Sequence, residues 1–139
     1  MHSLNTIKQQ NKSNAKKLID LTLKNGGVSF NNNLQELPFK TGFAVAHEEV
    51  DRFTTSLSTG DLELEKALNK LPALNPDEFY GLCLENHTIQ GEIYDSYYIL
   101  DKVRLIMNYD SAVRYGRKYG QKSIYDFKHG IEIKLEGGK

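Results

Sequence analysis

Segments follow one another in this chain as helix, short strands, helix, hairpin, helix, hairpin. That order predicts a single α+β domain, with one mainly antiparallel sheet and helices packed on one face. Two hairpin signals, at residues 79–100 and 123–135, exclude an all-parallel sheet, whose strands need long crossovers. The 139 residues are 39% hydrophobic and 10% aromatic. This is enough for one core and too apolar for a disordered chain. Residues 1–12 are polar without periodicity and read as a flexible N-terminus. Residues 13–136 read as the domain.

The first helix is expected from Ser13, a good N-cap, to about Asn25. Ala15, Leu18, Ile19, Thr22 and Leu23 form its apolar stripe, and Gly26 supplies the left-handed residue that ends it. Val28-Ser29-Phe30 reads as a short strand, followed by an Asn31-Asn32-Asn33 turn. Gly42 to Ala46 is a strand, with His47 to Phe53 expected as a helical turn after it. Thr54 to Thr59 is a polar loop, and Thr59 caps a helix from Gly60 to Leu71. Leu62, Ala67, Leu68 and Leu71 form that helix's inner side, and Pro72 stops it. Phe79 to Glu85 and Glu92 to Leu100 are strands, turning at Asn86-His87-Thr88 with an extension toward Gly91. Asp101-Lys102 reads as a bulge or turn, and Val103 to Met107 fits strand and helix alike. Asn108 or Asp110 caps a helix from Ser111 to Tyr119, which Gly120 ends. Ser123 to Phe127 and Ile131 to Leu135 form the last hairpin around Lys128-His129-Gly130.

Eighteen basic residues balance eighteen acidic ones, but they are segregated. Residues 1–44 carry +4, residues 45–101 carry −9 and residues 102–139 carry +5. Such blocks either mix in space or mark a basic and an acidic surface. No apolar run is long enough to span a bilayer, and the first residues lack the apolar core of a secretory signal. No membrane association is expected. With Cys83 as the single cysteine, neither a disulfide framework nor a cysteine zinc cage can form within one chain. A cytoplasmic, reducing location is the default.

His47-Glu48-Glu49-Val50-Asp51 has the start of a zincin helix, but Asp51 stands where the second imidazole is needed. The plainer reading is a surface helix start, and no metal is expected. Cys83 alternates among leucines and reads as a small buried hydrophobe. The nucleophile elbow, the phosphate-binding P-loop and the dinucleotide fingerprint are all absent, so neither cofactor nor enzyme activity is expected. Glu63 and Glu65 have the E-x-E spacing of ADP-ribosyltransferases, though within a predicted helix. Asp95 interrupts an apolar strand and would need a cation or donors if buried.

Two surfaces stand out as candidates for binding. Arg114, Arg117, Lys118, Tyr115 and Tyr119 come from one helix, with Tyr115 and Tyr119 sharing a face at i, i+4. Lys102, Arg104 and Lys122 can join them. Tyrosine and arginine dominate protein-binding hot spots, and the same pair of residue types grips phosphates and stacks on bases. The plainer alternative packs the tyrosines on the sheet and leaves the cations solvated. The second surface is acidic: Glu48, Glu49, Asp51, Asp61, Glu63 and Glu65. Aligned, these carboxylates would imitate nucleic-acid phosphates. Ile131–Leu135 reads as an open edge strand, which either pairs with a second copy or is covered by the N-terminal helix.

Longer stretches carry a resemblance. GGVSFNNNLQELPFKTGFAVA opens with Gly-Gly and closes on a Gly-Phe-x-Val strand. YGLCLENHTIQGEIYDSYYIL and DSAVRYGRKYGQKSIYDFKHGIEI follow, with Tyr94, Asp95, Gly120, Gln121, Ile124, Tyr125, Asp126 and Gly130 at the characteristic positions. This pattern, over roughly residues 26–46 and 79–133, resembles small accessory proteins of bacteriophages and conjugative elements. The chain departs from it between Ile99 and Asn108. The resemblance carries over no catalytic residue; its positions read as turns, caps and loop hydrogen bonds. It implies a genomic setting, and so a bacterial host cytoplasm, more than a mechanism. Together with the absent catalytic motifs and the segregated charge, it leads to the expectation of stoichiometric binding to a host protein. The expected target is a defence nuclease or effector complex, as for anti-CRISPR proteins. The alternative is a nucleic-acid-binding accessory protein using the basic helix.

Overall fold

A computed structural model describes residues 4–54 and 60–135; the side chains of residues 4–12, 54, 60–62, 87, 94 and 95 lie outside that description. The elements are α1 (Leu4–Asn25), β1 (Gly27–Phe30), β2 (Phe43–Thr54), α2 (Gly60–Leu68), β3 (Glu78–Ile89), β4 (Glu92–Ile106), α3 (Tyr109–Lys118), β5 (Ser123–Asp126) and β6 (Ile131–Lys134). The fold is α+β, a single domain with one mainly antiparallel six-stranded sheet in the order β1-β3-β4-β2-β5-β6. Its residues gather into two units, and β1, β2, β3 and β4 each pass from one unit to the other. No helix among the described residues is long and apolar enough to cross a membrane.

The first unit comprises the chain up to Val28, Val50–Ala73 and Leu82–Leu100. α1 starts at Leu4, well before the Ser13 cap expected from sequence. Its buried stripe is the expected one, Ala15, Leu18, Ile19 and Thr22 at i, i+3, i+4, i+7. Leu23, expected in that stripe, is exposed. The Thr22 hydroxyl is satisfied inside the helix, donating to the Leu18 carbonyl at 2.7 Å. Gly26 ends the helix at φ +86°. α2 packs against α1 and buries Leu64, Ala67 and Leu68. It stops at Leu68, short of the Leu71 expected. The Thr59 cap and the loop from residue 55 lie outside the described residues, as does the Leu62 side chain.

β3 and β4 correct the sequence reading in two places. The strand runs through Asn86-His87-Thr88, and the turn falls on Gln90-Gly91, at φ +53° and +83°. Two successive positive φ values are the type I′ geometry that suits the strand twist. Asn86 instead accepts the Ser96 hydroxyl across the hairpin at 2.6 Å. β4 continues through Asp101-Lys102 to Ile106, so the chain does not turn there and Val103–Ile106 is strand rather than helix.

The second unit comprises Ser29–Glu49, Leu74–Gly81 and Asp101–Lys139. Asn31 organises its first turn: the side-chain oxygen accepts from the Asn33 and Gln35 N–H groups at 2.9 and 3.0 Å. The residues from His47 to Phe53 are strand, not the expected helical turn, because β2 extends from Phe43 to Thr54. β2 pairs antiparallel with β5 through Phe43↔Asp126 and Ala44↔Tyr125. Val45, Ala112, Ile124 and Leu135 form the core beneath α3. The β5–β6 turn is held by Asp126, which is 6% exposed. Its carboxylate accepts the Lys128 and His129 N–H groups at 3.0 and 3.3 Å and contacts His129 Nδ1 at 2.6 Å. The His129 contact first, aided by the turn's N–H groups, holds that carboxyl below the usual carboxylate range.

Candidate functional site

The basic and aromatic residues expected on one helix are brought together by α3. Asn108 is its N-cap, accepting the Ser111 N–H at 2.9 Å. Ala112 and Gly116, both buried, form the stripe that meets the sheet. Small residues at i, i+4 bring the helix close and set Tyr115 to one flank. The Tyr115 and Tyr119 rings lie 4.6 Å apart, inclined at 41°.

Cations frame this pair. Arg104, from β4, places its guanidinium 5.0 Å from the Tyr115 ring centre, and Lys118 lies 5.6 Å from that of Tyr119. Arg104 Nε is in turn 2.9 Å from Asp77 Oδ2. Such cation–aromatic contacts fix ring positions while keeping the charge near water. Arg114 and Arg117 are exposed on the same helix, and the Arg114 guanidinium reaches the Ser111 hydroxyl at 3.5 Å. Ser111, Arg114, Tyr115 and Lys118 line a shallow depression of about 220 Å³. Lys102 does not join this group: its ammonium lies 3.4 Å from Glu48.

Behind the rings sits a pair that sequence reasoning missed. His47, on β2, faces the Tyr119 and Tyr115 rings at 5.8 and 6.5 Å. Its Nε2 contacts the Glu78 carboxylate, which is 8% exposed. Glu78 also accepts the Asn75 N–H at 2.6 Å. Burial pushes the Glu78 carboxyl up, but the Asn75 N–H, His47 and Lys102 together outweigh it, and the carboxyl ends below its ordinary value. Burial first, then the neighbouring Tyr119 phenol, pushes the Tyr115 hydroxyl up to about 12. The Tyr115 oxygen has no well-directed hydrogen bond among the described residues. Tyr115 is therefore a neutral phenol at any ordinary pH. The signal for His47 was period two: Phe43, Val45 and His47 share a strand face. Nothing local in the sequence links Glu78 to it.

The acidic candidates come from both units. Glu48 and Glu49 are exposed on β2 in the second unit, whereas Glu63 and Glu65 belong to α2 in the first. Glu63 and Glu65 are half-buried and, two residues apart on a helix, do not share a face. Asp51 turns back to accept the Arg52 N–H at 2.8 Å. The Asp61 and Asp95 side chains lie outside the described residues. Cys83 is half-buried. Among the described residues no three His, Cys, Asp or Glu side chains group as metal ligands would. Comparison with protein-family models, with curated proteins and with solved structures returns no match.

Proposed function

We propose that this chain is a stoichiometric binding protein of the phage or mobile-element accessory kind, and that the α3 face makes the contact. The class of target is an acidic surface on a host protein, a defence nuclease or effector complex. One observation carries the choice of face: Tyr119, 40% exposed, is held against Tyr115 with the Lys118 ammonium 5.6 Å from its ring, on a helix that also exposes Arg114 and Arg117. A pre-positioned aromatic beside a cation loses little entropy on binding and suits a hot spot. The acidic residues support a phosphate-mimic reading less well, because Glu63 and Glu65 do not share a face of α2 and Asp51 turns back to the adjacent backbone.

A nucleic-acid partner is the second reading, favoured by the same exposed ring beside Lys118, on which a base can stack. The test compares the wild-type chain with the Arg114→Glu/Tyr119→Ala double variant as bait in bacterial lysate, with and without nuclease. A host effector retained in stoichiometric amount after nuclease, inhibited by the wild type and bound at least about thirtyfold more weakly by the variant, is the expected result. Material that disappears with nuclease, and binding that falls steeply with salt, would select the nucleic-acid reading. Equal binding by both proteins would exclude α3.

A further inference from the structure

β6 stands at the end of the sheet order, beside β5. Their ladder runs Ser123↔Lys134, Ile124↔Ile133, Tyr125↔Glu132 and Asp126↔Ile131. One step further, the Leu135 N–H donates to the Lys122 carbonyl at 2.8 Å. Backbone groups of successive residues point to opposite edges of a strand. Ile131, Ile133 and Leu135 therefore turn their N–H and C=O groups toward β5, and Glu132 and Lys134 turn theirs to the open edge. Side chains alternate between the two faces as well. Ile133 and Leu135 pack into the core, while Glu132 and Lys134 are exposed. Neither charge makes an ion pair among the described residues. Ile131, on the core face, is 52% exposed.

We propose that β6 pairs antiparallel with β6 of a second copy of this chain, in the register centred on Ile133. That register meets three conditions at once. The outward backbone groups of Glu132 face those of the partner's Lys134, and the two-fold repeats the pair. The same pairing sets a carboxylate opposite an ammonium twice. The exposed Ile131 lies opposite the partner's Leu135 and gains apolar cover. Registers centred on Glu132 or Lys134 set like charges opposite, which destabilises a sheet. A shift of one residue sets an outward-facing residue against an inward-facing one and breaks the ladder. The sequence Ile-Glu-Ile-Lys is self-complementary in one antiparallel register only.

Charge swaps test both the pairing and its register. Sedimentation equilibrium at low salt is run on the full chain, on Glu132→Lys, on Lys134→Glu, and on an equimolar mixture of the two variants. The substitutions are at exposed positions, and circular dichroism checks that each variant is folded. The wild type is expected to dimerise, and each single variant to dimerise about tenfold or more weakly, since like charges then oppose each other twice. The mixture is expected to recover the wild-type affinity. One variant then carries two ammonium groups on this strand and the other two carboxylates, so opposite charges face each other in the hetero-pair alone. A wild type monomeric at every concentration overturns the proposal. So do single variants that dimerise as well as the wild type, or a mixture that does not recover.

Discussion

A methyl group added at Gly116 would stand 2.7 Å from Leu135 Cδ1 and 3.1 Å from Ile124 Cγ2. The residue is buried in a helix, so its role is close approach rather than unusual backbone geometry. Gly116→Val is expected to lower the unfolding free energy by about 1–3 kcal/mol through overpacking. The midpoint of urea unfolding, at unchanged slope, measures it. Gly116→Ala should cost less, because alanine's helix propensity offsets up to about 1 kcal/mol. Much of this was legible in sequence: Tyr115 and Tyr119 share a face by spacing alone. His47 and Glu78 were not. Their pairing joins β2 to β3, and no local rule links residues that meet only through the sheet.

At the scale of elements, the cap of α3 and its glycine stop were readable because both are local chemistry. Asn108 accepts the Ser111 N–H and Gly120 takes φ +67°. Asn108→Ala is expected to cost about 1 kcal/mol, loss of one satisfied donor at the helix start. Thermal unfolding followed by circular dichroism would show it. Strand lengths were less legible. Asn86-His87-Thr88 has turn composition, yet the ladder carries it as strand because Gly91, further along, supplies a better turn than Thr88 could. The charged run from His47 to Arg52 looked helical by composition, and its alternation of faces became decisive only with neighbours on both sides of β2.

For the whole molecule, two carboxyl groups tie stability to acid. Glu78 and Asp126 are both held below their ordinary values, 4.5 and 3.8. A carboxyl whose folded pKa is depressed contributes stability that is present above its unfolded value and lost as pH falls through its folded one. The window lies below 4.5 for Glu78, beside His47 and Lys102, and below 3.8 for Asp126, beside His129. The melting temperature of the wild type is expected to fall on acidification. The gap between it and Glu78→Gln or Asp126→Asn should narrow between about pH 7 and about pH 2, where all forms carry neutral groups. A constant gap across that range would show that neither ionised carboxylate stabilises the fold. The order of the sheet also bears on synthesis. β1 pairs with β3, and β2 with β4 and β5, so every ladder partner of the first two strands lies later in the chain. A nascent chain has no inter-strand ladder until β3 has been made. After the short Phe30–Glu36 bridge, the β3–β4 hairpin, closed by its two-residue turn, is the first pair of strands able to zip by local contacts. β2 must wait, unpaired, for strands that have yet to leave the ribosome.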